Sequence, residues 1–228
     1  MVLQRTEGYR RAFPDACMGV LMLQGVQNEG GVSGALEETR RRVAASLRER
    51  YGALDRGALR KLPVYREYVR YAKRFDKTYQ VLSQLESVAV KGRDVPAVSP
   101  LVTAMFLAEL ETGVLTAGHD LDRLALPLVV APGAEGEHYH LLGKGVLQAV
   151  KPGDVRVADG KGIVGTILHG PDDRTPITDA TRNALFLVYG VPGVAPAEIR
   201  SHLALLRDHV RLAVPEAVET SLEVLEAR

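Results

Sequence analysis

Apolar residues recur at helical spacing in several long stretches and in short, turn-bounded runs through the second half of the chain. The first run, from about Ala16 to Asn28, is almost wholly apolar and ends before Gly30-Gly31, which predicts a strand. Residues 34–51 follow with Leu36, Val43 and Leu47 on one side and five arginines mostly elsewhere, the pattern of an amphipathic helix. Its early glutamates and later arginines also suit the helix dipole. Pro63 opens a second helix, and residues 78–90 form a third. The next is the best delimited. Ser99 is placed to cap it with its hydroxyl, Pro100 suits its first position, and Gly113 stops it. Leu101, Met105 and Ala108 give it a core stripe that Val102 and Phe106 broaden.

Beyond Arg123 the pattern shortens. LALPLVVAPG, HYHLLGKG, DVRVADG, GIVGTILHG and NALFLVYGV are apolar runs separated by Gly, Pro and Asp, which predicts strands, with ADGKG as a tight turn between two of them. His138 and His140 flank Tyr139 in an alternation that puts both imidazoles on one strand face. Helices over about Pro196–Ala213 and Pro215–Glu226 close the chain. A strand-rich centre of packed sheets with helices outside is an α+β architecture, expected here as one domain over residues 1–228.

Composition narrows the classes little. At 228 residues, 46% apolar and 25% charged, the chain can bury a sizeable core without disulfide or metal. Its net charge of +1 excludes a globally basic nucleic-acid binder, so any RNA contact must be a local patch. The lone cysteine, Cys17, lies in an apolar run and reads as a core thiol in a reducing compartment. No membrane-length apolar segment or signal peptide is evident, and the expectation is a cytoplasmic protein. Without a CxxC pair, neither zinc nor another metal is expected.

The candidate chemistry falls into three groups. Around the second helix, Tyr65, Tyr68, Tyr71, Phe75 and Tyr79 interleave with Arg66, Arg70, Lys73, Arg74 and Lys77. Such interleaving grips phosphates and stacks bases, but at helical spacing aromatics more often form core. Tyr68, Tyr71 and Phe75 are assigned to the core; Arg70, Lys73 and Arg74 stay open as RNA contacts. The segment after Gly113, TAGHDLD, gathers His119, Asp120 and Asp122 in what reads as a polar loop on a rigid helix, functional or, as spacing alone favours, with Asp120 or Asp122 merely capping a following turn. HGPDDRTPIT is a dense polar turn in which His169 and Arg174 are candidates, the guanidinium for a carboxylate or phosphate and otherwise for a solvated turn. No serine lies in a nucleophile-elbow sequence.

Taken in order, YREYVRYAKRF, VKGRDVPAVSPLVTAMFLAELETG, GHDLDRL, GEHYHLLGKG, PGDVRVADGKGIVGTILHG and DDRTPITDATRNALFLVYG resemble the B3/B4 domain of the phenylalanyl-tRNA synthetase β-subunit in free-standing form, best over residues 63–189. The resemblance implies a β-rich α+β domain that hydrolyses the ester of mischarged tRNA, in trans, with no cofactor. Its partner would be tRNA rather than DNA or a membrane, and the oligomeric state is left open. It places Thr103 on the pocket wall. With it, His119 and Asp120 become the catalytic candidates, Gly165, His169 and Arg174 the substrate contacts, and Arg70, Lys73, Arg74 and Arg93 the RNA contacts. Two departures accompany it: Ala117 stands where an ungapped alignment puts the family histidine, and Phe186 and Leu187 stand near the family glutamate. Editing of tyrosine is therefore not implied, and the amino acid is left open. A non-catalytic module binding tRNA, an amino acid or a protein is the alternative.

Overall fold

The computed structural model describes residues 2–226. In chain order the elements are β1 (Leu3–Arg5), α1 (Glu7–Ala12), β2 (Cys17–Gln24), α2 (Gly34–Tyr51), α3 (Arg56–Leu59), α4 (Pro63–Lys73), α5 (Gln80–Leu85), α6 (Pro100–Thr112), β3 (Thr116–Asp120), β4 (Leu128–Pro132), β5 (His138–His140), β6 (Leu147–Ala149), β7 (Val155–Asp159), β8 (Gly162–Thr166), β9 (Gly170–Pro171), β10 (Asn183–Gly190), α7 (Pro196–Ala213) and β11 (Val218–Glu226). A π turn over Glu86–Val90 extends α5, and a 3-10 turn over Leu121–Arg123 follows β3. The fold is α+β.

Two sheets carry the architecture. One is antiparallel, in the order β11-β2-β10-β3. The other runs β1-β4-β7-β8-β9 and is antiparallel except where β1 pairs with β4. The predicted central strands therefore divide: β4, β7 and β8 build one sheet, while β10 joins the other with strands from both ends of the chain. The tight turn in ADGKG joins β7 to β8, and β5 exposes both imidazoles while burying Tyr139. Helix α7 lies across β2, and α6 packs on α7. A side chain at Gly19 would meet Ile199 Cγ2 at 2.7 Å, which accounts for glycine where α7 approaches β2. Cys17 is buried on β2, where burial pushes its thiol up to about 11, as a core thiol requires.

Helix α6 is anchored at both ends by the rest of the chain. The sequence predicts a Ser99 hydroxyl cap, but that side chain makes no capping bond. The Asn28 side chain takes the task from 73 positions away, its Oδ1 accepting from Leu101 N at 2.9 Å. At the other end Gly113 adopts φ 76°, the left-handed stop expected of it. Tyr65 and Tyr79 donate their hydroxyls to Leu110 O and Gly113 O at 3.1 and 2.8 Å, satisfying carbonyls at the end of the helix. Tyr68 stacks on Tyr79 at 4.6 Å and donates to Tyr189 O. The aromatic series of α4 is thus core, with its hydroxyls spent on backbone and on Asp154.

Two expected elements also fail. Residues 215–226 are not a helix: Val218–Glu226 is an edge strand pairing antiparallel with β2. Its Leu, Glu and Ala content favours a helix, but the free edge of β2 offers a full ladder of partners, and Val218, Thr220 and Val224 suit it. Thr116–Asp120 is not a polar loop either. It is a strand whose backbone pairs with β10 from Val188 to Ala184.

Candidate functional site

Where the two sheets meet, a cavity of about 270 Å3 opens between α5, α6, β3 and the β8–β9 corner. Helix α6 supplies its apolar wall through Met105, from the stripe read in sequence, and Val102 and Phe106, the positions that broadened it. Leu115, Leu142, Pro171, Pro176 and Ile177 continue that wall. Gly118 keeps the floor clear, since a Cβ there would meet Ile177 Cδ1 at 2.6 Å.

Few polar groups border this space. Glu109, on the same helix, is 3% exposed, and its Oε1 accepts from Thr116 N at 2.7 Å. Burial pushes its carboxyl up to about 8, so it is mostly protonated at neutral pH. Tyr189 is 1% exposed; burial raises its phenol, and its hydroxyl has no hydrogen-bond partner among the described residues. Gln84 Oε1 has none either. Gln80, Thr166 and Thr116 complete the set. Thr116 is already engaged: the Thr112 hydroxyl donates to Ala108 O at 2.7 Å, so His202 Nδ1–H donates to Thr112 and its Nε2 accepts from Thr116 at 2.6 Å. Burial lowers His202 to about 3, which keeps it neutral in this link between α6, β3 and α7.

The predicted catalytic residues lie elsewhere. His119 is fully buried and does not line the cavity; its neighbours Ala117 and Gly118 do. The Thr175 hydroxyl donates to Asp172 Oδ1, so His119 Nδ1–H donates to Thr175 Oγ1 at 2.8 Å. Its Nε2 has neither a partner nor contact with solvent. Burial lowers its imidazole to about 4, and the Arg174 charge adds to the effect. Asp120 turns away to cap the 3-10 turn, accepting from Asp122 N at 3.1 Å and from the Thr181 hydroxyl at 2.9 Å. Thr103 faces the core, its hydroxyl accepting from Val98 N at 3.1 Å. Once Thr116–Asp120 is read as a strand the reason is plain: pairing with β10 fixes which side chains turn inward.

The predicted substrate contacts are also displaced. Arg174 is spent in a fork on Asp159, at 2.9 and 3.0 Å, with Asp172 at 3.5 Å beyond, so it is not free to hold a ligand's carboxylate. His169 is half-buried and does not line the cavity, and burial together with nearby lysines lowers it. Gly165 lies behind the wall, where a Cβ would come within 3.3 Å of the Tyr189 hydroxyl.

The RNA candidates separate into two places. Arg70, Lys73 and Arg74 line an open groove of about 620 Å3 together with Arg60, Lys61 and Arg66. Arg70 is paired with Glu67, and Arg74 lies over Phe13, Tyr71 and Phe75 at 5.4–5.8 Å. Arg93 lines a smaller cleft that shares Gln84 and Phe106 with the cavity. The arginines of α2 include internal straps: Arg40 donates to Val95 O and Arg48 to Gly92 O and Arg93 O.

Sequence reasoning missed Glu109 and Tyr189. Both sit within runs that read as core, and the one signal present was a single carboxylate in an otherwise apolar helix face. Among the described residues no three of His, Cys, Asp and Glu come together to hold a metal ion, and no helix is long and apolar enough to cross a membrane.

No curated protein matches the chain. Among solved structures, it is similar in fold to an N-terminal fragment of the phenylalanyl-tRNA synthetase β-subunit from Pyrococcus horikoshii, with a TM-score of 0.51 and 10% identity. That likeness covers 96% of this chain and 54% of the fragment, so the chain spans about half the length of the structure it matches. The B3/4 domain family matches residues 64–212, which take in the cavity wall from α5 to Tyr189. By that match, over more than half of its length, the chain belongs to the B3/4 domain family.

Proposed function

We propose that this protein hydrolyses the aminoacyl ester of mischarged tRNA, acting in trans. The observation that carries the reading is the cavity itself: in a chain of the B3/4 family, an apolar recess of side-chain size holds a small number of buried polar groups. Ester hydrolysis needs a recess for the amino-acid side chain, groups that orient a water, and donors for the developing oxyanion. Phe106, Met105 and Ile177 offer the first; Glu109 and Thr166 are among the polar residues bordering the same space. His119 is assigned a positioning role, since it braces Thr175 next to the cavity residue Pro176. The acceptor stem of the tRNA lies along Arg93 beside the cavity, and the basic groove of α3 and α4 takes phosphates further away. The protein is expected in the cytoplasm, where charged tRNA is used.

The test is a panel of tRNAs each charged with a wrong amino acid, with release of free amino acid followed over time. Accelerated release from at least one of them is expected; background release from all of them would overturn the reading. One observation favours a second reading, a module that binds without cleaving: Ala117, at the position of the histidine in the resembled domain, presents no imidazole to the cavity. In that case the panel shows retention of particular aminoacyl-tRNAs with no release.

A further inference from the structure

Glu109 has no evident structural use for its charge. It is the one carboxyl on the cavity wall, and no Lys, Arg or His among the described residues makes an ion pair with it. Its protein partner is a single backbone N–H. A buried carboxyl left in this condition weakens a fold, and a core position would be better served by an apolar side chain. A carboxyl in an apolar recess, with no cation of the protein beside it, describes the complement of a ligand that brings its own.

We propose that the cavity takes an α-aminoacyl unit with its primary ammonium paired to Glu109 and its apolar side chain against Phe106, Met105 and Ile177. The assignment deepens the deacylase reading and rests on it for the identity of the larger molecule. A carboxylate shielded from water attracts an ammonium far more strongly than one on the surface. It repels a carboxylate or phosphate equally, so the anionic part of the substrate stays outside. The carbonyl end then points toward the neighbouring cleft that Arg93 lines, which shares Gln84 and Phe106 with the cavity.

The pairing is linked to protons. Burial pushes the Glu109 carboxyl up to about 8. The titratable groups around it are the phenols of Tyr65, Tyr68 and Tyr79, with Tyr189 on the same cavity; all are raised by burial, so none of them ionises near neutrality. An α-amino group titrates at about 7.7–8.0. At pH 6.5 the ligand is therefore already charged while Glu109 is not, and binding must expel a proton. Above pH 8 the ligand loses its charge, so affinity passes through a maximum near pH 8.

The probes are α-amino amides with apolar side chains and their des-amino counterparts, titrated into the full-length protein by calorimetry in buffers of different ionisation enthalpy. The amine should improve affinity roughly thirty-fold or more. At pH 6.5 the buffer dependence should report release of close to one proton. Glu109→Gln should remove both the advantage and the proton release while leaving the des-amino probe unchanged. Equal affinity of the wild type for amine and des-amino probes, or binding at pH 6.5 without proton release, overturns the pairing, and neither measurement depends on a variant folding. If the amides bind as expected and no tRNA is deacylated, the pairing stands and the deacylase reading falls. If tRNA carrying a des-amino acyl group is hydrolysed as readily as aminoacyl-tRNA, the deacylase reading stands and the pairing falls.

Discussion

Two polar regions of this protein stand a strand apart and behave oppositely. One is the chain His119–Thr175–Asp172–Arg174–Asp159, whose members bond to one another; Asp159 also accepts from the amides of Ala125, Lys161 and Gly162. Apart from His119 Nε2, this network is nearly closed. The other is the cavity wall, where Glu109 has one backbone partner and Tyr189 has none for its hydroxyl. By residue type the network resembles a reactive centre, whereas the wall residues resemble ordinary core. Residue type alone therefore does not mark a site. What matters is whether hydrogen-bonding capacity is used up inside the protein or left facing a space.

The largest effect that could overturn this contrast comes from the closed network. His119→Ala should destabilise the protein by about 2–4 kcal/mol, because it opens a hole and strands Thr175. Denaturant unfolding measures this. Per folded molecule, deacylation should fall far less than stability does; a variant as stable as the parent but inactive would make His119 a reacting group after all.

A smaller effect tests the open wall. Glu109 holds its proton in the fold up to about pH 8, whereas in the unfolded chain it ionises near 4.5. The folded state binds more protons through that window, so Glu109 makes stability fall as pH rises from about 4.5 to 8, and its contribution is constant above. Asp154, raised to about 6 by burial, acts in the same direction at lower pH. His119 and His202, lowered to about 4 and 3 by burial, act oppositely: below their unfolded value of 6.5 they make stability fall with acid. The histidine contributions fade over the pH unit above 6.5, so between about pH 7.5 and 8 the Glu109 slope dominates. Glu109→Gln should flatten it by up to about 1.4 kcal/mol per pH unit, read from unfolding midpoints at fixed salt. An unchanged slope would mean that this carboxyl is already ionised in the fold.

The smallest effect concerns the surface. Replacing Arg70, Lys73 and Arg74 together with alanine should change stability little, with about 0.5–1 kcal/mol from the Arg74 stacking on its aromatic neighbours. The same variant should bind tRNA more weakly and with a shallower dependence on salt, while preference among amino acids stays as it was. Filter binding across a salt series measures this. A salt slope equal to the parent's would remove the groove from the RNA surface.

Much of the helical framework was legible in the sequence because its causes are local. Helices α2 and α7 occupy their predicted ranges, set by apolar periodicity and, for α7, by a proline at its start. Gly113 stops α6 for a reason contained in its own backbone, and the ADGKG turn needs only its own residues. The resemblance of the ordered motifs to a B3/B4 domain was legible for the same reason, being written in segments rather than in their packing.

Strand identity and the site were decided by contacts from far along the chain. Val218–Glu226 carries helix-forming residues and becomes a strand because β2 has an edge to offer it. Thr116–Asp120 carries loop chemistry and becomes a strand beside β10, which turns His119 inward and leaves Gly118 on the cavity floor. Glu109 differs from an ordinary helix carboxyl only through what surrounds it: the Thr116 amide and an apolar recess built from both sheets. Periodicity records which face of an element is apolar, whereas a desolvated carboxyl and an unpartnered hydroxyl arise only where several elements converge. Local sequence therefore specified the helices, and tertiary packing alone decided where the chemistry lies.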